Sequence, residues 1–269
     1  MTTIALTIAG SDSAGGAGIQ ADLRTFAALG VHGASAITAL TAQNTRGVEA
    51  VHTAPPEFVL AELRAIASDL RVGAIKTGML GNLGIVQAVV EGLGLFTGVP
   101  VVVDPVMVSQ SGHPLLTDEA IDAIRTKLMP LAVLVTPNLL EAARLLGETV
   151  ARDEAEMAAQ AERLRKQGAS AVLVKGGHAT GPLAVDILVD AQGAMRLEAP
   201  RTPTKNTHGT GCTLSAATAA ELAKGATLRE ALAKAKTYVT AAIAAADQLQ
   251  IGKGRGPVHH FHAWWPRER

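Results

Sequence analysis

The segment Asn206-Thr207-His208-Gly209-Thr210-Gly211-Cys212-Thr213 sets two glycines, three threonines and a cysteine directly before an alanine-rich helical pattern. Glycine lets a backbone turn tightly and approach a ligand closely. The first amides of the following helix have no partner inside it, and with the helix dipole they form an anion site. A phosphoryl group in transfer spreads charge over three oxygens. Thr207, Gly209, Thr210 and Gly211 are therefore candidates for cradling it. A plain helix-initiating loop would carry the same glycines, and the motif alone does not separate the two. Cys212 stands at the predicted helix start, where the thiolate is favoured and the sulfur can act as a base or polarise a hydroxyl. The commoner fate of a lone cysteine is a small buried core position.

Further polar residues follow apolar, strand-like runs. Asp104 ends Val101-Val102-Val103, where a carboxylate suits a Mg²⁺-bound water or a lysine partner. Asn138 and Glu141 share a face at a helix start. A Mg²⁺ shell needs only one or two carboxylates beside phosphate and water; ordinary capping would use the same pair. Lys175 ends another buried run and could hold a phosphate, or be a surface lysine. Gln43 offers a donor and an acceptor side by side, which match the edge of an aminopyrimidine; an exposed loop amide would look the same. Gly10-Ser11-Asp12-Ser13-Ala14-Gly15-Gly16-Ala17-Gly18 is a second glycine-rich turn, leading into a helix that carries Asp22. Its spacing fits neither a dinucleotide fingerprint nor a P-loop. Without a ligand, Asp22 would be a solvated helix residue.

The elements that must position these residues alternate. Strands are predicted at Thr3–Ala9, Ala34–Leu40, Val72–Lys76, Val99–Asp104, Ala132–Thr136 and Ala171–Lys175, several of them continuous apolar runs of the kind buried on both faces. Helices are predicted at Ile19–Leu29, Pro56–Leu70, Leu83–Leu93, Asp118–Leu128, Leu139–Leu146, Glu154–Gln167, Thr213–Lys224 and Leu228–Gln248, and Ala184–Val189 with Ala194–Glu198 reads as a hairpin. This alternation predicts an α/β fold with a mainly parallel sheet, and residues 1–269 read as one domain. The chemistry-bearing residues then lie beyond the carboxyl ends of strands, where open α/β sheets bind ligands.

Composition narrows the function. The 269 residues carry 24 basic and 24 acidic side chains, so no basic excess points to nucleic acid. Charged residues make up 18% and mean hydropathy is +0.24, unlike a disordered chain. One cysteine excludes a disulfide scaffold and fits a reducing cytoplasm. No apolar run has the length or flanks of a signal peptide or a membrane span. His259, His260 and His262 lack partner ligands at metal-site spacing, and Trp264 and Trp265 are expected to cover an apolar surface.

Several motifs occur together and in order: Ala9–Asp22, Ala42-Gln43-Asn44-Thr45, Lys76-Thr77-Gly78-Met79-Leu80, Val103-Asp104-Pro105-Val106-Met107, Thr136-Pro137-Asn138-Leu139-Leu140-Glu141, Lys175-Gly176-Gly177-His178, Asn206–Cys212 and Gly256-Pro257-Val258. Their combination, over about residues 4–262, resembles the bacterial hydroxymethylpyrimidine/phosphomethylpyrimidine kinases of the ribokinase-like superfamily. The resemblance implies a three-layer sandwich, usually dimeric, and two ATP- and Mg²⁺-dependent transfers, first to 4-amino-5-hydroxymethyl-2-methylpyrimidine and then to its monophosphate. It implies that Gly10, Asp22, Gln43, Met79 and Val106 surround the pyrimidine. Asp104, Asn138, Glu141 and Lys175 face Mg-ATP, with Asp104 and Glu141 nearest the metal, and Thr207–Cys212 form the anion hole. Sugar kinases of the superfamily end the last motif in a catalytic Asp; here Cys212 takes that place. A pyridoxal or pyridoxine kinase would use the same scaffold, and a non-catalytic vitamin-binding regulator is the alternative of another class.

Overall fold

The structure is a computed structural model that describes residues 1–108, 115–177 and 181–265; His178, quoted above within a motif, lies outside the described residues. The described strands form one sheet in the order β3-β2-β1-β4-β5-β6-β7-β8-β9. Its centre is parallel: β1 (Ile4–Asp12), β2 (His32–Asn44), β4 (Ala74–Thr77), β5 (Val101–Val103), β6 (Leu134–Val135) and β7 (Val172–Lys175). Antiparallel strands finish both edges, β3 (Gly47–Thr53) on one side and β8 (Leu183–Asp190) with β9 (Gly193–Pro200) on the other. The expected α/β sandwich is the observed architecture.

Alternation along each strand divides the core in two. Leu6, Ile8, Ile75, Val101, Val103, Val172 and Val174 pack against α2 (Pro56–Asp69), α3 (Leu83–Leu93), α4 (Asp118–Ala123), α5 (Leu139–Leu146) and α6 (Glu154–Lys166). Ala5, Ala74, Val102 and Leu173 face the other way, onto α1 (Gly18–Ala28), α7 (Thr210–Ala223) and α8 (Leu228–Ala244). This second face is built from small residues. Ala216, Ala217, Ala219 and Ala220 of α7 are fully buried against it, so α7 lies close to the sheet.

Some boundaries differ from the sequence reading. The edge strand β3 was not expected, because nearly every residue in it is exposed and no apolar alternation marks it. The helix expected over Asp118–Leu128 is α-helical only to Ala123. It continues as a π-helical turn over Ile124–Leu128 and a 3-10 turn over Met129–Leu131, where Pro130 removes a helix donor. Helix α7 begins at Thr210, three residues earlier than expected. Gly209, at φ +79°, supplies a left-handed entry that an L side chain rarely adopts.

A methyl group at Gly209 would lie 1.9 Å from the Gly16 carbonyl oxygen, so clash adds to backbone strain. Gly193, at φ +96°, has open space around it. Gly209→Ala is therefore expected to cost more than about 2 kcal/mol, whereas Gly193→Ala costs only about 1 kcal/mol. Urea unfolding of the two variants measures both values, and equal losses would refute the clash.

Candidate active site

The same alternation that buries Ala5, Ala74, Val102 and Leu173 carries polar residues at the carboxyl ends of their strands. Thr7 on β1, Lys76 on β4, Asp104 beyond β5 and Lys175 on β7 all take the face that looks onto α1 and α7. Asp104, 2% exposed, accepts from the Lys175 ammonium at 2.8 Å, from Thr136 Oγ1 at 3.2 Å and from Ser215 Oγ on α7 at 3.3 Å. Lys175 and Lys76 hold its carboxyl below the usual range against the opposing effect of burial. The N-terminal turn of α7 sits on this pair. A methyl group at Gly211 would stand 3.0 Å from Lys175 Nζ and 3.8 Å from Asp104 Oδ2. Free helix amides, an ammonium and a carboxylate therefore converge at one strand end, an arrangement suited to phosphate oxygens.

The two glycine-rich loops interlock beside it. Asp12 accepts from the backbone N–H groups of Ala14, Gly16 and Ala17 at 2.9–3.0 Å, and its Oδ2 lies 2.9 Å from His208 Nε2. The same ring nitrogen is 3.1 Å from Gln43 Nε2, and Thr41 Oγ1 donates to Gln43 Oε1 at 3.1 Å. Because Asp12 is an acceptor, a proton on His208 Nε2 satisfies the closer pair. The tail locks the assembly from outside. His208 N–H donates to Gly256 O, Val258 N–H donates to His208 O, and Gly256 N–H donates to Asn206 Oδ1. Gly254 and Arg255 bind Thr45, next to the Gln43 strand end.

Cys212 is half-buried in the first turn of α7. The expectation that this position favours the thiolate does not hold in the free protein. Burial pushes the thiol up to about 11; Lys76 pulls it down, while Asp22 and Asp104 push it further up. Desolvation outweighs the helix terminus here.

Asn138 and Glu141 form a reciprocal capping box on α5. Glu141 N–H donates to Asn138 Oδ1 at 2.9 Å and Asn138 N–H donates to Glu141 Oε2 at 2.8 Å. The capping alternative is thus realised, and Glu141 also lies within the field of Lys175 and Asp104. Gly10 and Met79 adjoin each other, a methyl at Gly10 standing 3.4 Å from Met79 Sδ. Val106 follows Asp104 in the loop after β5 and is half-buried. Thr207 accepts the Thr210 hydroxyl on its carbonyl at 2.8 Å.

Asp22 is no solvated helix residue. It is fully buried, accepting from Thr7 Oγ1 at 2.6 Å and from Lys76 Nζ at 2.8 Å. The sequence reading assigned no role to Lys76 or Asp12, and to His208 only a place within the Thr207–Cys212 anion hole. A lysine inside the apolar strand Ala74–Thr77, in phase with Ala74, was the available signal for Lys76. The tail histidines have packing roles: His260 Nε2 pairs with Thr213 Oγ1 at 3.1 Å, and Tyr238 donates to the His260 carbonyl at 2.6 Å. Among the described residues, no group of three or more His, Cys, Asp or Glu is placed to hold a metal. Trp264 and Trp265 depart from expectation: they are 69% and 54% exposed, with Trp265 stacked on Phe261.

Burial pushes the Glu141 carboxyl up to about 7, with Lys175 opposing and Asp104 assisting. A carboxyl raised on folding contributes stability that is complete below its unfolded pKa and is lost as pH rises through the folded value. Glu141→Gln keeps the capping geometry and removes the titration. The fall in stability between pH 4.5 and 7.5 is expected to shrink by about 1–3 kcal/mol in this variant. Urea unfolding at the two pH values checks this, and an unchanged fall would contradict it.

Comparison with known proteins follows the same lines. The family model for phosphomethylpyrimidine kinase matches residues 12–259. The hydroxymethylpyrimidine/phosphomethylpyrimidine kinase of Rhizobium meliloti is 59% identical, with 98% of this chain and 99% of that protein covered. The Escherichia coli protein of the same name is 51% identical, with 97% and 98% covered. Among solved structures, an ADP complex of Bacillus subtilis pyridoxal kinase superposes with a TM-score of 0.90 at 38% identity, covering 98% of this chain and 99% of that one. The phosphomethylpyrimidine kinase of Clostridium difficile gives 0.79 at 41% identity, covering 90% and 100%. No helix among the described residues is long and apolar enough to cross a membrane. With a family model spanning most of its length and near full-length relatives above 50% identity, this chain belongs to the phosphomethylpyrimidine kinase family.

Proposed function

We propose that this protein transfers the γ-phosphoryl group of ATP to 4-amino-5-hydroxymethyl-2-methylpyrimidine, and then a second one to the resulting monophosphate, in thiamine biosynthesis. The observation that carries this reading is a convergence on one loop: Gln43 reaches His208, and the Gly209–Gly211 turn that follows, leading into Cys212, lies over the Lys175–Asp104 pair. The near full-length relatives from Rhizobium meliloti and Escherichia coli carry both activities in their names.

In this reading the Gln43 carboxamide pairs with the amino edge of the pyrimidine, and Gly10, Met79, Val106 and Asp22 bound the ring's side of the cleft. Gly209 and Gly211 present backbone amides to the migrating phosphoryl group, Thr207 and Thr210 brace that turn by their own hydrogen bonds, and Lys175 and Asn138 hold the nucleotide side. In the first transfer the Cys212 thiol first gives its proton to solvent; the hydroxymethyl oxygen then bonds to the γ-phosphorus, the bond to ADP breaks, and the hydroxyl proton passes to the Cys212 thiolate. In the second, the attacking phosphate oxygen is already ionised and needs no base. Asp104 is an ionised carboxylate and Glu141 a second oxygen donor nearby, a hard donor pair that fits Mg²⁺ with waters and phosphate completing the shell. When bound there, the ion would neutralise charge building on the phosphate oxygens.

We read residues 1–269 as a single kinase domain acting as a homodimer in the cytoplasm. A second reading, a pyridoxal kinase, is favoured by the close superposition on the Bacillus subtilis and Staphylococcus aureus pyridoxal kinases.

Phosphorus NMR of the protein with Mg-ATP and hydroxymethylpyrimidine, beside a pyridoxine sample, separates the readings. A monophosphate resonance replaced by a diphosphate is expected. Phosphorylation of pyridoxine alone would move the assignment to vitamin B6, and no turnover in either sample would leave a binding protein. Cys212→Ala is expected to slow the first transfer by about 100-fold and the second by less than about tenfold. Single-turnover rates check this; equal losses would remove the base role.

A further inference from the structure

A further buried lysine–carboxylate pair stands beside Lys175, and no step of the proposed transfer uses it. Strand β8 runs antiparallel to β7, with Asp186 opposite Lys175. Asp186 is in phase with Leu188, on the sheet face that α8 covers. There its Oδ2 accepts from Lys236 Nζ of α8 at 2.7 Å, and Lys236 Nζ also donates to the Ala184 carbonyl at 3.0 Å. The Lys236 and Asp186 side chains are 12% and 6% exposed. The second carboxylate oxygen reaches the site. Asp186 Oδ1 accepts the backbone N–H of Gly176 at 3.0 Å, one residue beyond Lys175. The β7–β8 pairing ends at Lys175 and Asp186, so the carboxylate takes the amide that the ladder leaves. The approach admits no side chain: a methyl at Gly176 would stand 2.1 Å from the Val185 carbonyl oxygen. The residues on either side are held separately. Lys175 N–H donates to Pro137 O at 2.8 Å, and Arg201 Nη1 donates to Gly177 O at 2.6 Å.

We propose that Asp186 and Lys236 are positioning residues for the nucleotide side of the cleft. The carboxylate, held by Lys236, fixes the Gly176 amide and with it the direction in which Lys175 presents its ammonium to phosphate. The inference deepens the kinase reading and rests on it. In this role neither residue touches nucleotide or acceptor; both act through the Lys175–Gly177 turn. A buried ion pair kept for stability alone gains little, since apolar side chains of similar volume do as well. What an apolar pair cannot supply is an acceptor for a buried amide. Lys236 holds that acceptor in place, because its bond to Ala184 O ties the ammonium to the same strand, two residues before Asp186. A donor fixed in advance needs no reorganisation when charge develops on the phosphate oxygens.

Two neutral double variants separate the acceptor from the charge. Asp186→Asn with Lys236→Met removes both charges and keeps an oxygen for the Gly176 N–H. Asp186→Ala with Lys236→Met removes the oxygen as well. Calorimetry and steady-state kinetics are read in proteins that keep a cooperative thermal transition. The second variant should bind Mg-ADP about tenfold more weakly and raise KM for Mg-ATP by about the same factor, while the first stays within about threefold of the parent. Hydroxymethylpyrimidine affinity should stay within about twofold in both, a split that a general loss of packing would not produce. Hydrogen exchange in the parent protein needs neither variant: the Gly176 amide should be protected before any nucleotide is added. Parent-like Mg-ADP affinity in the second variant, equal losses in both, a matching fall in pyrimidine affinity, or a Gly176 amide protected only after Mg-ADP is added would overturn the proposal. A parent protein that binds no Mg-ADP would overturn the kinase reading itself.

Discussion

The contact between the two glycine-rich loops governs how the rest of the site is arranged. Gly209 packs so close to Gly16 that no side chain fits between them, and His208, its neighbour, lies against the Asp12 carboxylate. Asp12 is itself wrapped by three amides of its own loop. This docking joins residues nearly two hundred positions apart in sequence. It brings the start of α7 against the start of α1 and fixes where Cys212, Gly211 and the Gln43 amide stand. Charge-assisted hydrogen bonds are the stronger kind, and here they replace the apolar packing that glycine loops cannot supply.

The sheet face beneath follows from the same closeness. Alanines on α7 let the helix descend onto Ala5, Ala74, Val102 and Leu173. The strand ends then place Lys76, Asp104 and Lys175 directly under its first turn. Burying these charges is costly, and each is offset by an opposite partner: Lys76 by Asp22, and Lys175 by Asp104. Burial raises the Cys212 thiol and the Glu141 carboxyl, while the neighbouring ammonium groups hold Asp104 low against the same effect.

Much of this was legible in the sequence. Continuous apolar runs marked β1, β4, β5 and β7, and the polar residues at their ends marked the cleft. Other features were hidden for physical reasons. Strand β3 lacks an apolar face, so periodicity carried no signal for it. The burial of Asp22 depends on Lys76, 54 positions away, and local pattern cannot show a long-range ion pair. The elevated thiol depends on packing depth, which a helix-start rule does not include. The histidine-rich tail read as a set of possible ligands, but its backbone clamps the Asn206–His208 loop and Thr45, a function that only tertiary contact reveals.

The central claim is that one loop–loop contact builds both the pyrimidine side and the phosphate side of the cleft. Calorimetric titration of Asp12→Ala, in protein that keeps a cooperative thermal transition, tests it most directly. Mg-ADP and hydroxymethylpyrimidine would be titrated separately into the variant and the parent. The account predicts that both affinities fall together, each by about tenfold or more, because truncation leaves three loop amides and His208 without their shared acceptor. Loss of one affinity with the other intact would show that the two sides are built independently and would contradict the account.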